Sequence, residues 1–130
     1  MKKIKVPSSM EKVSNLMQAI SLQPRLEILL AIGDGETCVC HLESVLGYRQ
    51  AYISQNLMAL REAGVLSTRR DGKYIFYRSE KPETMEMVEL AARMAGVDVS
   101  VITARANQSS ASCDCPKCSP QLATRATAQA

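Results

Sequence analysis

Residues 36–79 read ETCVCHLESVLGYRQAYISQNLMALREAGVLSTRRDGKYIFYRS, and this stretch decides the fold. Its apolar spacing predicts a short helix over residues 40–46, stopped by Gly47, then a Tyr48-Arg49 turn. A second helix follows over 50–63, with Ile53, Leu57 and Leu60 on its inner stripe and Gly64 as its stop. Two strands, 65–70 and 73–78, are joined by Asp71-Gly72, a dipeptide suited to a two-residue hairpin turn. Two helices across a tight glycine-containing turn, followed by a basic hairpin, spell a winged helix-turn-helix.

Working outward, Met10, Val13, Leu16, Met17 and Ile20 recur at helical spacing from Ser9 onward. Pro24 suits the first turn of the next helix, whose stripe is Leu26, Leu29, Leu30 and Ile32 and which Gly33-Asp34-Gly35 ends. Residues 36–39 form an extended link. Pro82 opens a fifth helix carrying Met85, Val88, Leu90, Ala91 and Met94, ending near Gly96, and residues 97–106 form a further short helix. From Asn107 the composition turns to Ser, Ala, Thr, Gln and Pro. The expected organisation is a loose lead-in over 1–8, one domain over 9–106 and a flexible cysteine-containing tail over 107–130. The fold class is mainly α: a homodimeric winged helix-turn-helix of about five helices plus a two-stranded β-hairpin wing.

The bulk composition agrees. Of 130 residues 46% are apolar but only 4% aromatic, with one Phe and no Trp, so the core is aliphatic and methionine-filled. The net charge of +3 is a mild bias towards nucleic acid. No apolar run is long enough for a transmembrane helix, and the start MKKIKVPSSM has no apolar signal region. A cytoplasmic chain with no membrane partner and no small organic substrate is expected. In a reducing cytosol its five cysteines are metal ligands, redox sensors or buried fillers rather than permanent disulfides.

The face of the 50–63 helix turned from its apolar stripe carries Gln50, Ala51, Ser54 and Gln55, with Tyr52 and Asn56 at its flanks. Gln and Asn can bond adenine bidentately, and Arg49 suits guanine or phosphate. Arg69, Arg70 and Lys73 at the hairpin tip suit phosphates or a minor groove. A polar solvated face on any small domain would also be rich in such residues. The basic hairpin at this distance favours double-stranded operator DNA as the partner.

Residues of about 15–95 resemble the ArsR/SmtB family of metal-sensing bacterial repressors, on the strings LQPRLEILLAIGDGE, VCHLESVLG and ISQNLMALREAGVLSTRRDGKYIFYRS and the helix after Pro82. The resemblance implies a homodimer built from the first and last helices, bound to a palindromic operator and released by an inducer. Arg49 stands where family members often have a capping Ser or Thr, and His41 where thiol-type members usually have Asp. The resemblance excludes no enzyme by itself, but no nucleophile–base arrangement is evident and no C-x-x-C opens a helix in a βαβ unit, so no enzymatic activity is expected.

Cys38-Val39-Cys40 resembles the Cys-Val-Cys sensor of arsenite- and cadmium-responsive members. In a regular helix residues i and i+2 point about 200° apart and cannot share one ion. With Cys38 extended and Cys40 as the helix N-cap, both sulfurs can converge, Cys40 and Glu43 would mimic a capping box, and a helix N-terminus favours thiolate. The competing reading makes both cysteines buried fillers. Cys113, Cys115 and Cys118 form C-x-C-x-x-C in the tail, a set suited to a thiophilic ion; they either join Cys38 and Cys40, in the same or the partner subunit, or form an accessory site. As(III) and Sb(III) are favoured over Cd(II) and Pb(II) as the inducer. A thiol-redox switch of the same fold and a structural zinc site in the tail are the alternatives. The fifth helix has no His, and the one His, His41, is expected to be an exposed first-turn residue, so a nitrogen and oxygen metal site is disfavoured.

Overall fold

The computed structural model describes residues 8–106. Six helices and three strands follow in the order α1 (Ser8–Ile20), α2 (Gln23–Ile32), β1 (Glu36–Cys38), α3 (Val39–Leu46), α4 (Gln50–Glu62), β2 (Leu66–Asp71), β3 (Tyr74–Ser79), α5 (Glu83–Ala95) and α6 (Ser100–Ala106). The extended link anticipated at 36–39 is a true strand. It pairs antiparallel with β3, so the wing is a three-stranded sheet in the order β1-β3-β2.

The core forms around α2. Ile28, Leu29, Leu30, Ala31 and Ile32 are all buried, so the C-terminal half of this helix is covered on every side. Pro24 sits in its first turn, where a missing N–H costs nothing. Ile53, Leu57 and Leu60 of α4 have no exposed surface and pack into the same cluster, with Leu42, Val65, Leu66, Met85 and Val88. Gly47 and Gly96 close α3 and α5 in the left-handed conformation that side chains disfavour.

Three expectations need correction. The hairpin turn is Gly72-Lys73, one residue later than anticipated, because Asp71 pairs with Tyr74. A turn centred on Asp71-Gly72 would put Asp71 at positive φ, and among the described residues only glycines adopt positive φ; Gly72 does so at +61°. Secondly, α3 begins at Val39 with Cys38 as its N-cap, so Cys40 lies inside the first turn and the Cys40–Glu43 capping box does not form. Thirdly, the sixth helix starts at Ser100 rather than near 97, where Asp98 accepts a hydrogen bond from the Ser100 N–H at 2.9 Å. The apolar stripes of α1 and α5 lie mostly outside the core. Met10, Val13, Leu16 and Met17 of α1, and Leu90 and Met94 of α5, are exposed, while Ile20, Met85 and Val88 are buried.

Candidate functional site

Helix α4 is held by apolar contacts and by a polar brace on the same buried side. Ile53, Leu57 and Leu60 anchor α4. Asn56, expected at the flank of the exposed face, is instead buried: its amide N–H donates to the Tyr52 carbonyl at 2.9 Å, and its amide oxygen accepts from Arg25 Nε at 3.0 Å. Arg25 also donates to the Ala19 carbonyl at 2.9 Å. One guanidinium thus ties the end of α1, the start of α2 and the middle of α4 together, with the Asn56 amide buried at the junction. Arg49, Gln50, Ala51, Tyr52 and Gln55 are exposed and Ser54 is half-buried. Tyr48 and Tyr52 pack with their rings tilted by 60° and 5.3 Å between centroids. The Tyr48 hydroxyl donates to the Glu27 carboxylate, and this bond, with desolvation, pushes its pKa up to about 12.

In the wing, Arg70 and Lys73 are exposed near the tip, and Lys73 Nζ lies 5.4 Å from the Tyr74 ring centre. Arg69 is placed differently. Its guanidinium forms a bidentate pair with Glu36 of β1 and lies 4.8 Å over the Phe76 ring. Glu36 holds the Arg69 pKa above its ordinary value. Arg69 therefore joins β2 to β1 rather than pointing a free charge outwards.

The thiol pair lies at this same junction. Cys38 stands opposite Phe76, which stands opposite Arg69, so the three form one cross-strand row on one face of the sheet. The other face gives Leu66 and Tyr77 to the main core. Cys38 and Phe76 make a second small buried cluster, with Cys40 and Tyr74 packed against it. Both sulfur-bearing side chains border one patch even though Cys40 is helical, because Cys38 at the cap keeps an extended backbone (φ −88°, ψ 164°). Two thiols at one patch suit a thiophilic ion; among the described residues no third His, Cys, Asp or Glu joins them to make a metal-holding group. Cys113, Cys115 and Cys118 lie outside the described residues.

His41 overturns its expectation. It is buried, 7% exposed, and its Nε2 lies 2.6 Å from the Ala106 carbonyl oxygen at the end of α6. A carbonyl is only an acceptor, so Nε2 carries the proton. Sequence spacing offered little signal: Val45, four residues later on the same side of α3, is only half-buried and lies outside the core cluster. The partner of His41, 65 residues away, had no local signature.

Among the described residues no helix is long and apolar enough to cross a membrane. The family model described as "Bacterial regulatory protein, arsR family" matches residues 23–68, which covers α2, α3, α4 and the start of the wing. A biofilm growth-associated repressor of Agrobacterium fabrum is 37% identical over 78 residues, covering 60% of this chain and 67% of that protein. An arsenic resistance transcriptional regulator of Pseudomonas putida is 42% identical over 73 residues, covering 56% of this chain and 54% of that protein. The crystal structure of the transcriptional repressor BigR from Xylella fastidiosa superposes with a TM-score of 0.62 at 32% identity, covering 72% of this chain and 96% of that one. With the winged helix-turn-helix already built from its residues, the chain belongs to the arsR family of bacterial regulatory proteins, which are DNA-binding transcriptional regulators and not enzymes.

Proposed function

We propose that the chain is a homodimeric repressor that leaves its operator when a thiophilic metal(loid), As(III) or Sb(III) before Cd(II) or Pb(II), is bound by Cys38 and Cys40. The observation that carries this reading is the position of the two thiols. They lie on one patch where β1 passes into α3, and α3 packs on the reading helix α4. The arsenic regulator of Pseudomonas putida among its relatives agrees with this choice of ion.

Two routes lead from that patch to DNA. Drawing both sulfurs onto one ion strains the cap of α3 and tilts that helix against α4. The same pull acts on Cys38 in the row shared with Phe76 and Arg69, and so on the wing. Arg49, Gln50, Ala51, Tyr52, Ser54 and Gln55 present the base-reading surface, and Arg70 and Lys73 hold phosphates. The exposed apolar residues of α1 and α5 supply the dimer interface. To move operator occupancy from 99:1 to 1:99, the ion must favour the released state by about 5.5 kcal/mol.

The test is anisotropy of labelled promoter DNA with the reduced full chain, titrated separately with arsenite and Cd(II). Wild type is expected to release DNA, and Cys38→Ser/Cys40→Ser to stay bound. Release by an oxidant but by neither ion would replace the metal reading with a redox switch.

A further inference from the structure

We propose that Met58 of α4 is a specificity-determining residue that reads the C5-methyl group of a thymine in the operator, and that Ala51 reads a second one. This rests on the reading of α4 as the helix that enters the major groove, and extends its base-reading surface by one residue.

The position of Met58 follows from the helix. A helix lying in the major groove reads base edges with side chains at i, i+3, i+4 and i+7, which share one side. In α4 that line is Ala51, Ser54, Gln55 and Met58. Ala51 and Gln55 are exposed, Ser54 is half-buried and Met58 is 61% exposed. The line lies opposite Ile53, Leu57 and Leu60, which have no exposed surface. Rotation of α4 about its own axis is fixed on the buried side, where the Asn56 amide oxygen accepts from Arg25 Nε at 3.0 Å. The line cannot roll out of the groove without breaking that bond. One turn beyond Met58 stands Glu62, also exposed. Its carboxylate is repelled by the phosphates, so the line ends at Met58.

The chemistry of these side chains selects their partner. A thioether or a methyl group pressed on the polar edge of a base strips water from N–H and C=O groups and replaces none of their hydrogen bonds, which is costly. The apolar group that a base pair shows in the major groove is the thymine C5-methyl. Methionine suits it, being unbranched, flexible and polarizable. Gln55 lies between the two apolar residues and suits adenine, whose partner is thymine. A run of A·T pairs therefore satisfies all three side chains. Ala51 and Met58 are seven residues apart, about 10 Å along the helix axis. Stacked bases are about 3.4 Å apart, so the two methyl groups fall within about three base pairs of each other.

The experiment uses the reduced full chain and labelled promoter DNA in which each thymine in turn is replaced by uracil, which removes the methyl and keeps the pairing. Wild type is expected to bind about fourfold more weakly at each of two such positions per half-site. Met58→Gln is expected to erase the uracil effect at one of them and Ala51→Ser at the other. Met58→Leu is expected to keep both. Met58→Gln should leave the thermal midpoint nearly unmoved, since the side chain is exposed. Wild-type binding that is indifferent to uracil at every position would overturn the proposal. So would a uracil effect that Met58→Gln and Ala51→Ser both retain, which assigns it to the shape of the DNA. If Gln55→Ala and Met58→Gln both bind the unmodified promoter as tightly as wild type, the exposed face of α4 is not the reading surface and the reading beneath the proposal fails.

Discussion

Asn56 and Gln55 are neighbours in sequence with opposite duties. Asn56→Ala deletes a buried amide that both accepts from Arg25 and donates to Tyr52, leaving a half-buried guanidinium short of a partner. The expected cost is about 1–3 kcal/mol, seen as a lower midpoint in thermal denaturation. Gln50→Ala and Gln55→Ala are expected to leave that midpoint nearly unmoved and to weaken operator binding by about 1–3 kcal/mol each at one base position, measured by competition with single-base operator variants. Tyr48 yields a pH prediction. Its folded pKa is raised from 10.0 to about 12 by the Glu27 bond, so its stabilising contribution is complete below pH 10 and is lost as pH rises through about 12. Tyrosinate absorbance should show one late-titrating tyrosine that Tyr48→Phe removes. The inner stripe of α4 was legible because Ile53, Leu57 and Leu60 follow the helical period. Asn56 belongs to that stripe by spacing, three after Ile53 and four before Leu60, but its polarity argued for the surface. The bond that makes its burial tolerable comes from Arg25, 31 residues away, and no local pattern announces such a partner.

Within the wing, the three basic residues near the turn are not equivalent. All three are exposed, but Arg69 is paired with Glu36 and lies over Phe76. Each phosphate contact contributes about 0.9 to the slope of log affinity against log salt. Arg70→Ala and Lys73→Ala are therefore expected to flatten that slope by about one each, and Arg69→Ala to leave it unchanged while loosening β2 from β1. A salt titration of operator binding decides this; an equal loss of slope for all three would show that Arg69 releases Glu36 to hold a phosphate. The hairpin itself was legible from its turn residues and its alternation of apolar and polar positions. The third strand was not. β1 has three residues and pairs with β3 across some 40 positions, and the extended character of 36–39 says nothing about where it docks. The joining of the thiols to the wing, and with it the second face of the sheet around Phe76, followed only from that register.

At the scale of the molecule, the exposed apolar residues of α1 and α5 are surface that a lone chain leaves in water. If they form the dimer interface, Val13→Asp is expected to shift the protein towards monomer in sedimentation velocity. Operator affinity should weaken at the same time, because one protomer reaches only one half-site. A dimeric Val13→Asp protein with full affinity would assign the stripe to something else. The helical period made these stripes legible, but period alone does not distinguish a core from an interface; only the count of apolar faces that α2 can cover does that. The coverage of α2 also has a biosynthetic consequence. Residues 28–32 are buried on all sides by elements from both ends of the domain, and α6 is among them. On a translating ribosome, α2 has been made 74 residues before Ala106, an interval of about 4–15 s at common elongation rates. Throughout it, part of this apolar helix is uncovered and in need of shelter. The helix that finishes the cover is α6, whose last carbonyl is held by His41, so that bond forms only once residue 106 has left the ribosome.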